Sequence, residues 1–189
     1  NARANISASH GIGGDRDNTD MEDRAVYERF GRGGTAGVFQ VESPGMRVLL
    51  KKVRPDCYDD IVAVIALYRP GPLGAGMVDD FVDRKLGRKP IAYYDERLKP
   101  VLESTHGTMV YQEQVMKIAT DLAGFSMGKA DALRKAMGKK KLDIMRQLQE
   151  DWNNGAVENG FSLDIAKQIW EDAEKFAKYA FNKSHSAAY

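Results

Sequence analysis

The run YDDIVAVIALY, residues 58–68, is apolar around almost its whole helical circumference. A helix of this kind is buried on all sides, so the run predicts the central helix of the fold. The preceding segment PGMRVLLKKV, residues 44–53, instead places four apolar residues on one stripe. That spacing is typical of a helix with one buried face.

Helical patterns also cover most of the remaining chain. The first runs from a cap at Asp20 or Asp23 to about Phe30, and the next from Met77 to about Leu86. Two more cover residues 110–125 and the stretch from Met127 to a bend or end at Gly138. Another starts at Leu142, and a long last segment opens at the capping residue Ser162.

Two stretches break the helical pattern. Residues 35–43, TAGVFQVES, alternate in a way that predicts a short strand or extended segment. Residues 69–76, RPGPLGAG, contain two prolines and three glycines, which should exclude them from a helix interior. The sequence therefore predicts a mainly α fold of many helices, with at most one short strand pair.

Length and composition limit the class of protein. A chain of 189 residues that is 43% hydrophobic can bury a core and fits one domain. It contains no apolar run of 18 residues, so we expect no membrane-spanning segment. Cys57 is the single cysteine, which favours a reducing, cytoplasmic location. Residues 1–17 have a linker-like composition and no signal-peptide pattern, so we expect the domain to occupy residues 18–189 of a piece of a longer protein.

The positive charge is concentrated in ADALRKAMGKKK, residues 130–141, through Arg134, Lys135, Lys139, Lys140 and Lys141. The whole chain carries only +1, so removing these five charges leaves −4 for the rest. A localised charge favours a polyanion bound at one face, and arginine can grip phosphate through two parallel bonds. A solvated, lysine-rich helix end explains the composition equally well.

The last segment contains a second candidate group, FAKYAFNKSH, residues 176–185. Tyr179 and His185 could stack on a base, and Lys183 could reach a phosphate. A packed aromatic residue on an ordinary surface helix is the alternative. Arg69, fixed between a buried helix and a Pro-Gly-Pro turn, is either a binding residue or part of a structural turn.

Signatures of catalysis and of metal binding are missing from the sequence. The three histidines are far apart, no phosphate-binding P-loop motif is present, and GIGGDR follows no predicted strand. Acidic pairs occur at 20/23, 59/60 and 79/80, but they fall at helix starts and on exposed faces, whereas a two-metal site needs converging carboxylates. We therefore predict no catalytic residue and no metal ligand.

Five blocks of the sequence, in order and without an interruption, resemble the fingers of the alpha subunits of bacterial DNA polymerase III, the C-family replicative polymerases. The blocks are TAGVFQVESPGM (35–46), IALYRPGPL (65–73), GTMVYQEQVM (107–116), ADALRKAMGKKK (130–141) and FAKYAFNKSHSAAY (176–189). The resemblance extends from about Asp20 to the last residue and implies a mostly helical subdomain.

The resemblance also implies roles for individual residues. The incoming deoxynucleoside triphosphate would be bound by Arg134, Lys135, Lys139, Lys140, Lys141, Tyr179, Asn182, Lys183 and His185. In that set the basic residues neutralise phosphates, Tyr179 and His185 pack against the nascent base pair, and Asn182 and Lys183 lie near sugar or phosphate. Arg69, Lys139 and Lys140 would contact the primer–template DNA.

Two positions depart from the family pattern. Lys135 stands where the family often has arginine, so bidentate binding is not available there, and Ala180 stands where glycine is frequent. The catalytic aspartates of the family, which hold two magnesium ions, belong to a palm subdomain with no matching motif here. The resemblance thus implies DNA-directed DNA polymerase activity, a nucleotidyltransferase reaction in DNA replication, only for the whole protein.

The same resemblance predicts partners and leaves alternatives. The whole protein would bind primer–template DNA, deoxynucleoside triphosphates, the sliding clamp and other replisome subunits, without a membrane. The residues alone are also compatible with a free-standing helical nucleic-acid-binding module, or with a helical interaction domain whose lysines are merely solvated.

Overall fold

The computed structural model describes residues 21–74, 76–139, 141–177 and 179–188. The predicted linker over residues 1–17 lies outside the described residues, as do Asp20 and Lys140. The described part of the chain is helical and contains no strand, which confirms the mainly α prediction. Its one β-type contact is an isolated parallel bridge between Tyr111 and Phe181. No helix within the described ranges is long and apolar enough to cross a bilayer.

The helices of the described residues follow one another closely along the chain. In order they are α1 (Arg24–Gly31), α2 (Pro44–Val53), α3 (Tyr58–Leu67), α4 (Pro70–Gly74), α5 (Met77–Lys85), α6 (Lys99–Leu102), α7 (Gln112–Ala123), α8 (Met127–Lys139), α9 (Leu142–Glu158), α10 (Leu163–Ala177) and α11 (Lys183–Ala188). Short 3₁₀ turns at Glu96–Leu98 and Glu103–Thr105 flank α6.

Side chains cap several helix starts in the way the sequence predicts. The Asp23 carboxylate accepts a hydrogen bond from Ala25 N at 2.9 Å, so the cap of α1 is Asp23. Ser162 Oγ accepts from Ile165 N at 3.2 Å at the start of α10. Each cap supplies an acceptor to an amide that has no partner within its helix, typically stabilising the helix by about 1 kcal/mol.

The helices enclose two hydrophobic clusters. The first is built on α2, α3 and α5, and the residues from Val62 to Leu67 are all buried in it, so α3 is the central helix that the sequence predicts. The predicted apolar stripe of α2 faces the same cluster. The second cluster joins α7, α8, α9 and α10 around Trp152 and Trp170, whose rings lie 5.6 Å apart.

The strand predicted for residues 35–43 is wrong, because this segment folds back on itself. Val38 N donates to Thr35 O at 3.1 Å and Val41 N to Val38 O at 3.2 Å, so consecutive turns replace an extended backbone. The hydroxyl of Thr35 is buried and donates to Val41 O at 2.6 Å, which closes the loop. No described strand is available to pair with it.

Residues 69–76, which the sequence excludes from a helix interior, do contain one short helix, since α4 occupies Pro70–Gly74. Both prolines fall in its first turn, where amide groups have no partner within the helix and a missing N–H costs nothing.

The long last helix that the sequence predicts from Ser162 is interrupted. The chain leaves α10 after Ala177, and Phe181 pairs with the segment before α7. This pairing joins residues far apart in sequence, so helical periodicity could not reveal it.

Gly155 of α9 lies in close contact with the end of α7. A Cβ at Gly155 would lie 2.1 Å from Ala123 O, a backbone atom that cannot move alone. We expect Gly155→Ala to force α7 and α9 apart and to destabilise the fold by about 1–3 kcal/mol.

Gly128 of α8 is the matched control, because nothing lies within 4 Å of a Cβ added there. Gly128→Ala should leave the free energy of unfolding unchanged or raise it by up to about 1 kcal/mol. Urea denaturation of both variants measures the contrast. Equal stability of the two variants would contradict the close approach.

Candidate phosphate-binding site

The orientation of α8 determines which of its charges face outward. Ala130, Leu133 and Met137 are buried against the second cluster, as their spacing predicts. Arg134 and Lys135 therefore lie on the outer side of the helix. The Lys135 side chain is 60% exposed, whereas the Arg134 side chain is only 30% exposed.

Asp131, one turn earlier on α8, contacts both of these cations. Its Oδ1 accepts from Arg134 Nε at 3.0 Å and from Nη2 at 2.7 Å. Its Oδ2 lies 2.6 Å from Lys135 Nζ. The contacts with Lys135 and Arg134 lower the pKa of Asp131. The carboxylate therefore stays charged, cancels part of the local positive charge and fixes the direction of the Arg134 guanidinium.

Gln112, the first residue of α7, connects α8 to the C-terminal segment. Its Oε1 accepts from Arg134 Nη1 at 3.2 Å, and its Nε2 donates to Ala180 O at 3.3 Å. Its backbone N donates to Phe181 O at 2.8 Å. Arg134 is thus held from two sides, by Asp131 within its own helix and by Gln112 across the helix packing.

A cleft of about 140 Å³ lies where these elements meet. Its lining residues come from α7, α8 and the C-terminal segment: Gln112, Val115, Arg134, Lys135, Met137, Gly138, Lys139 and Ala180. Nothing lies within 4 Å of a Cβ added at Gly138, so that backbone is open to approach. Small-molecule sites usually measure about 300–1,000 Å³, so the cleft suits one phosphate group rather than a whole nucleotide.

The remaining charges of the basic block lie beside this cleft or beyond it. Lys139 lines the cleft and is exposed, and Lys141, which precedes α9, is exposed as well. The structure thus brings together Arg134, Lys135 and Lys139 among the residues predicted to bind phosphate.

Arg69 is used within the fold. Its Nε donates to Ala66 O at 2.8 Å and its Nη2 to Tyr179 O at 2.5 Å. Its guanidinium also lies 4.7 Å from the centre of the Phe181 ring. Burial lowers the pKa of this guanidinium. Arg69 thereby fixes the C-terminal segment against α3 and α4, and its contact with DNA stays a prediction.

Tyr179 packs on the other side of the same segment. A Cβ at Gly71 would lie 2.1 Å from Tyr179 Cδ1, so the glycine of the Pro-Gly-Pro turn makes room for the ring. Tyr179 lines a second cleft, of about 350 Å³, with Arg84 and Thr108. The structure therefore does not place Tyr179 in the cleft of Arg134.

The rest of the predicted C-terminal group is partly engaged by the protein. The backbone N of Lys183 donates to both carboxylate oxygens of Glu113, at 3.1 and 3.0 Å, and Lys183 Nζ lies 3.2 Å from Asp59 Oδ1. Asn182 Oδ1 accepts from His185 N at 3.3 Å and so caps α11. His185 Nε2 lies 3.2 Å from Gln40 Oε1.

Sequence reasoning missed two residues that organise the cleft. Asp131 had a readable signal, because it lies three and four residues before Arg134 and Lys135, the spacing of helical side-chain pairs. Gln112 had none, since it contacts Arg134 across 22 residues of sequence.

The sequence matches the model of the bacterial DNA polymerase III alpha subunit finger domain over residues 1–160. The chain belongs to this finger-domain family. It is 52% identical over 184 residues to DNA polymerase III subunit alpha of Aquifex aeolicus, covering 97% of this chain and 16% of that protein. It is 51% identical over 174 residues to that of Escherichia coli K12, covering 89% of this chain and 15% of that protein. The chain thus spans about a sixth of the length of these relatives, and the predicted resemblance is confirmed.

Three members of the acidic pairs, Asp59, Asp60 and Asp80, contact lysines. Asp59 pairs with Lys183, and Asp80 Oδ1 lies 2.6 Å from Lys89 Nζ. Asp60 is 2% exposed, and its Oδ2 lies 2.7 Å from Lys85 Nζ. Opposite charges at these distances leave little need for a metal ion as a counter-charge.

One group of possible ligands does converge, at Asp56, Cys57 and Asp60, whose ligand atoms lie within 4.8 Å of one another. Lys85 Nζ contacts both carboxylates, at 3.0 Å from Asp56 and 2.7 Å from Asp60. Partial burial raises the pKa of the Cys57 thiol, and it outweighs the backbone hydrogen bond at Asp60, which lowers it. A protonated thiol and an ammonium group do not fit a divalent cation, so we assign no metal to this cluster.

The buried pair of Asp60 and Lys85 predicts a large effect of Asp60→Asn. Removing one member of a buried pair costs about 3–5 kcal/mol when the other charge is left without compensation, and we expect the lower end of that range because Lys85 keeps its contact with Asp56 at 3.0 Å. The exposed pair of Asp80 and Lys89 is the matched control, and Asp80→Asn should cost about 0–1 kcal/mol. Urea denaturation at pH 7 measures both, and an equal destabilisation of the two variants would contradict the assignment.

The same pair predicts a pH dependence. Burial alone would raise the pKa of Asp60, but the contacts with His106 and Lys85 and the amide of Asp56 outweigh it and hold the pKa well below its usual range. His106 Nε2 is 3.8 Å away, too far for a hydrogen bond, so we attribute most of the effect to Lys85. The stabilisation is then complete above about pH 5 and is lost as the pH falls below about 4. The difference in free energy of unfolding between wild type and Asp60→Asn should therefore narrow as the pH falls from about 4 towards the lowered pKa of Asp60.

Proposed function

We propose that this finger domain binds the triphosphate of an incoming deoxynucleotide, and the backbone of primer–template DNA, within a replicative DNA polymerase. The observation that carries the proposal is the cleft in which Arg134 is held by Asp131 and Gln112 while Lys135 and Lys139 stand beside it. Membership of the finger-domain family supports it.

The geometry of Arg134 is suited to binding a phosphate. A guanidinium has five N–H groups, and Arg134 uses three of them in its contacts with Asp131 and Gln112. One N–H on each terminal nitrogen stays available for two phosphate oxygens. Because the side chain is already oriented, little conformational entropy is lost when the phosphate binds.

The cations of α8 would act on the leaving group. During nucleotidyl transfer, negative charge shifts onto the departing pyrophosphate, and fixed positive groups stabilise that charge more than they stabilise the bound substrate. Lys135, Lys139, Lys140 and Lys141 would add flexible point charges around the oriented Arg134. The finger domain itself would donate no catalytic group.

The C-terminal segment would bind the nucleoside part of the same substrate. Tyr179 and His185 would pack against the nascent base pair, with Asn182 and Lys183 near sugar or phosphate. Gln112 supports this arrangement, since it contacts both Arg134 and the backbone of Ala180. A displacement of this segment would therefore move Gln112 and change its contact with Arg134 in the phosphate cleft.

Polymerisation would require the whole protein. We propose that magnesium-binding aspartates outside this chain perform the chemical step, that the chain alone is inactive, and that the sliding clamp and other replisome subunits bind elsewhere on the polymerase. Cytoplasmic location is part of the same proposal.

Arg134→Ala tests the proposed binding of the deoxynucleoside triphosphate. A charge-assisted hydrogen bond contributes about 1.5–3 kcal/mol, so deoxynucleoside triphosphate binding in the presence of primer–template should weaken about 10- to 150-fold. Isothermal titration with the 189-residue chain measures this. Lys117→Ala is the control, because Lys117 is exposed and pairs with Asp121, one turn away on another helix. Unchanged affinity in Arg134→Ala would exclude the cleft as the triphosphate site.

The proposed binding of primer–template DNA is tested by changing Lys139, Lys140 and Lys141 together to alanine. Fluorescence anisotropy of a labelled primer–template, measured over a series of salt concentrations, should show a log–log slope lowered by about 0.9 for each phosphate that is no longer neutralised. Alanine at the exposed residues Lys99, Lys117 and Lys167 is the control for net charge. If both triple variants change the slope equally, the charge acts without a defined site.

A further inference from the structure

A second concentration of positive charge lies on α1 and α2, away from α8. Residues 24–54 contain seven arginines and lysines but only two acids, Glu28 and Glu42. The cations are Arg24, Arg29, Arg32, Arg47, Lys51, Lys52 and Arg54. This part of the chain therefore carries a net +5, against +4 for residues 130–141, so the rest of the chain carries −8.

The glycine turn after α1 brings cations from two helices together. Gly33 has φ +76°, and a Cβ there would lie 3.0 Å from Lys51 Cε and 3.4 Å from Arg47 Cβ. A Cβ at Gly34 would lie 3.0 Å from Arg29 Cγ. The turn thus packs directly on the aliphatic stems of three cations, which a larger side chain at either glycine would push away.

The positive surface continues past the end of α2. Lys51, Lys52 and Arg54 line a groove of about 320 Å³ together with Arg88 at its far side. Its acids are Asp79 and Asp83, and Asp83 already pairs with Arg88 at 3.1 Å. We use the name cationic ridge for the five residues Arg29, Arg47, Lys51, Lys52 and Arg54.

The charges of the ridge are not neutralised within the described part of the protein. None of the five forms an ion pair with a described carboxylate, whereas the nearby Arg32 pairs with Glu28. Arg47 Nε is buried and makes no hydrogen bond to any described group. This contrasts with α8, where Asp131 contacts both Arg134 and Lys135.

Helix stability does not account for this arrangement. The macrodipole of α2 favours Lys51 and Lys52 in its last turn, but it does not favour Arg47 in its first. Arg47 and Lys51 are four residues apart, a spacing at which like charges destabilise a helix. A cost that the fold does not recover suggests an anionic partner.

We propose that the cationic ridge is a second binding site for the phosphate backbone of nucleic acid, separate from the cleft of Arg134. The chemistry favours nucleic acid over an acidic protein. Protein interfaces have an apolar centre, whereas protein–DNA interfaces are polar and strongly positive. Among the described residues from Arg47 to Arg54, Val48 is the one large apolar side chain that is strongly exposed, at 56%.

Changing Arg29, Lys51 and Lys52 together to alanine tests the ridge in the 189-residue chain. All three side chains are exposed, so the fold should persist, and circular dichroism confirms it. On a labelled duplex of about 20 base pairs, the log–log salt slope of binding should fall by about 0.9 for each phosphate that is no longer neutralised, and on a single strand by about 0.7. Replacing Lys51 and Lys52 by arginine should preserve the slope. The control is alanine at Lys99, Lys117 and Lys167.

The outcomes separate this site from the proposed function. A reduced slope in the ridge variant, additive with the variant at Lys139–Lys141, supports two independent sites. A reduced slope in the ridge variant alone supports the ridge and counts against the cleft. A slope equal to that of the control variant, or no binding by the native chain at low salt, overturns the ridge. Stronger competition by poly-glutamate than by DNA of equal charge would also overturn it in favour of an acidic protein.

Discussion

The arrangement of the molecule depends on the pairing of Phe181 with Val110, Tyr111 and Gln112, which lead into α7. Gln112 N donates to Phe181 O at 2.8 Å, and Phe181 N to Val110 O at 3.4 Å. Met109 packs in the second hydrophobic cluster, whereas Val110 and Tyr111 pack in the first. This short extended segment therefore joins the two halves of the core and, in the same place, anchors the C-terminal residues that follow α10.

Gln114 makes that segment rigid. Its Oε1 accepts from Val110 N at 2.8 Å and from Tyr111 N at 2.9 Å, and its Nε2 donates to Thr105 Oγ1 at 2.7 Å and to Val101 O at 3.1 Å. All four hydrogen bonds of the buried amide are made, so it carries no desolvation penalty of the kind that costs about 1–3 kcal/mol per unsatisfied group. Because the segment is fixed, the side chain of Gln112 reaches Arg134 from a defined position.

Local sequence patterns predicted what local interactions determine. The stripe of α2, the burial of α3 and the caps at Asp23 and Ser162 all depend on neighbours within a turn or two. The errors at residues 35–43 and after Ala177 arose where a distant contact or a loop closed by Thr35 outweighed periodicity. The same division applies to the cleft, since the contact of Arg134 with Asp131 follows helix spacing but its contact with Gln112 depends on the packing of α7 against α8.

Charge counted along the sequence also proved a poor guide to charge in space. Subtracting the basic block from the net charge assigned −4 to everything else, and that average concealed the ridge on α1 and α2. In the basic block, Asp131 cancels one charge and at the same time orients Arg134. No described carboxylate forms an ion pair with the ridge, although Asp79 and Asp83 line the same groove as Lys51, Lys52 and Arg54. An oriented and partly neutralised arginine suits recognition of one phosphate, whereas several unneutralised cations suit a long anionic backbone whose exact register does not matter. The two surfaces thus differ in the way that binding a nucleotide differs from binding a strand.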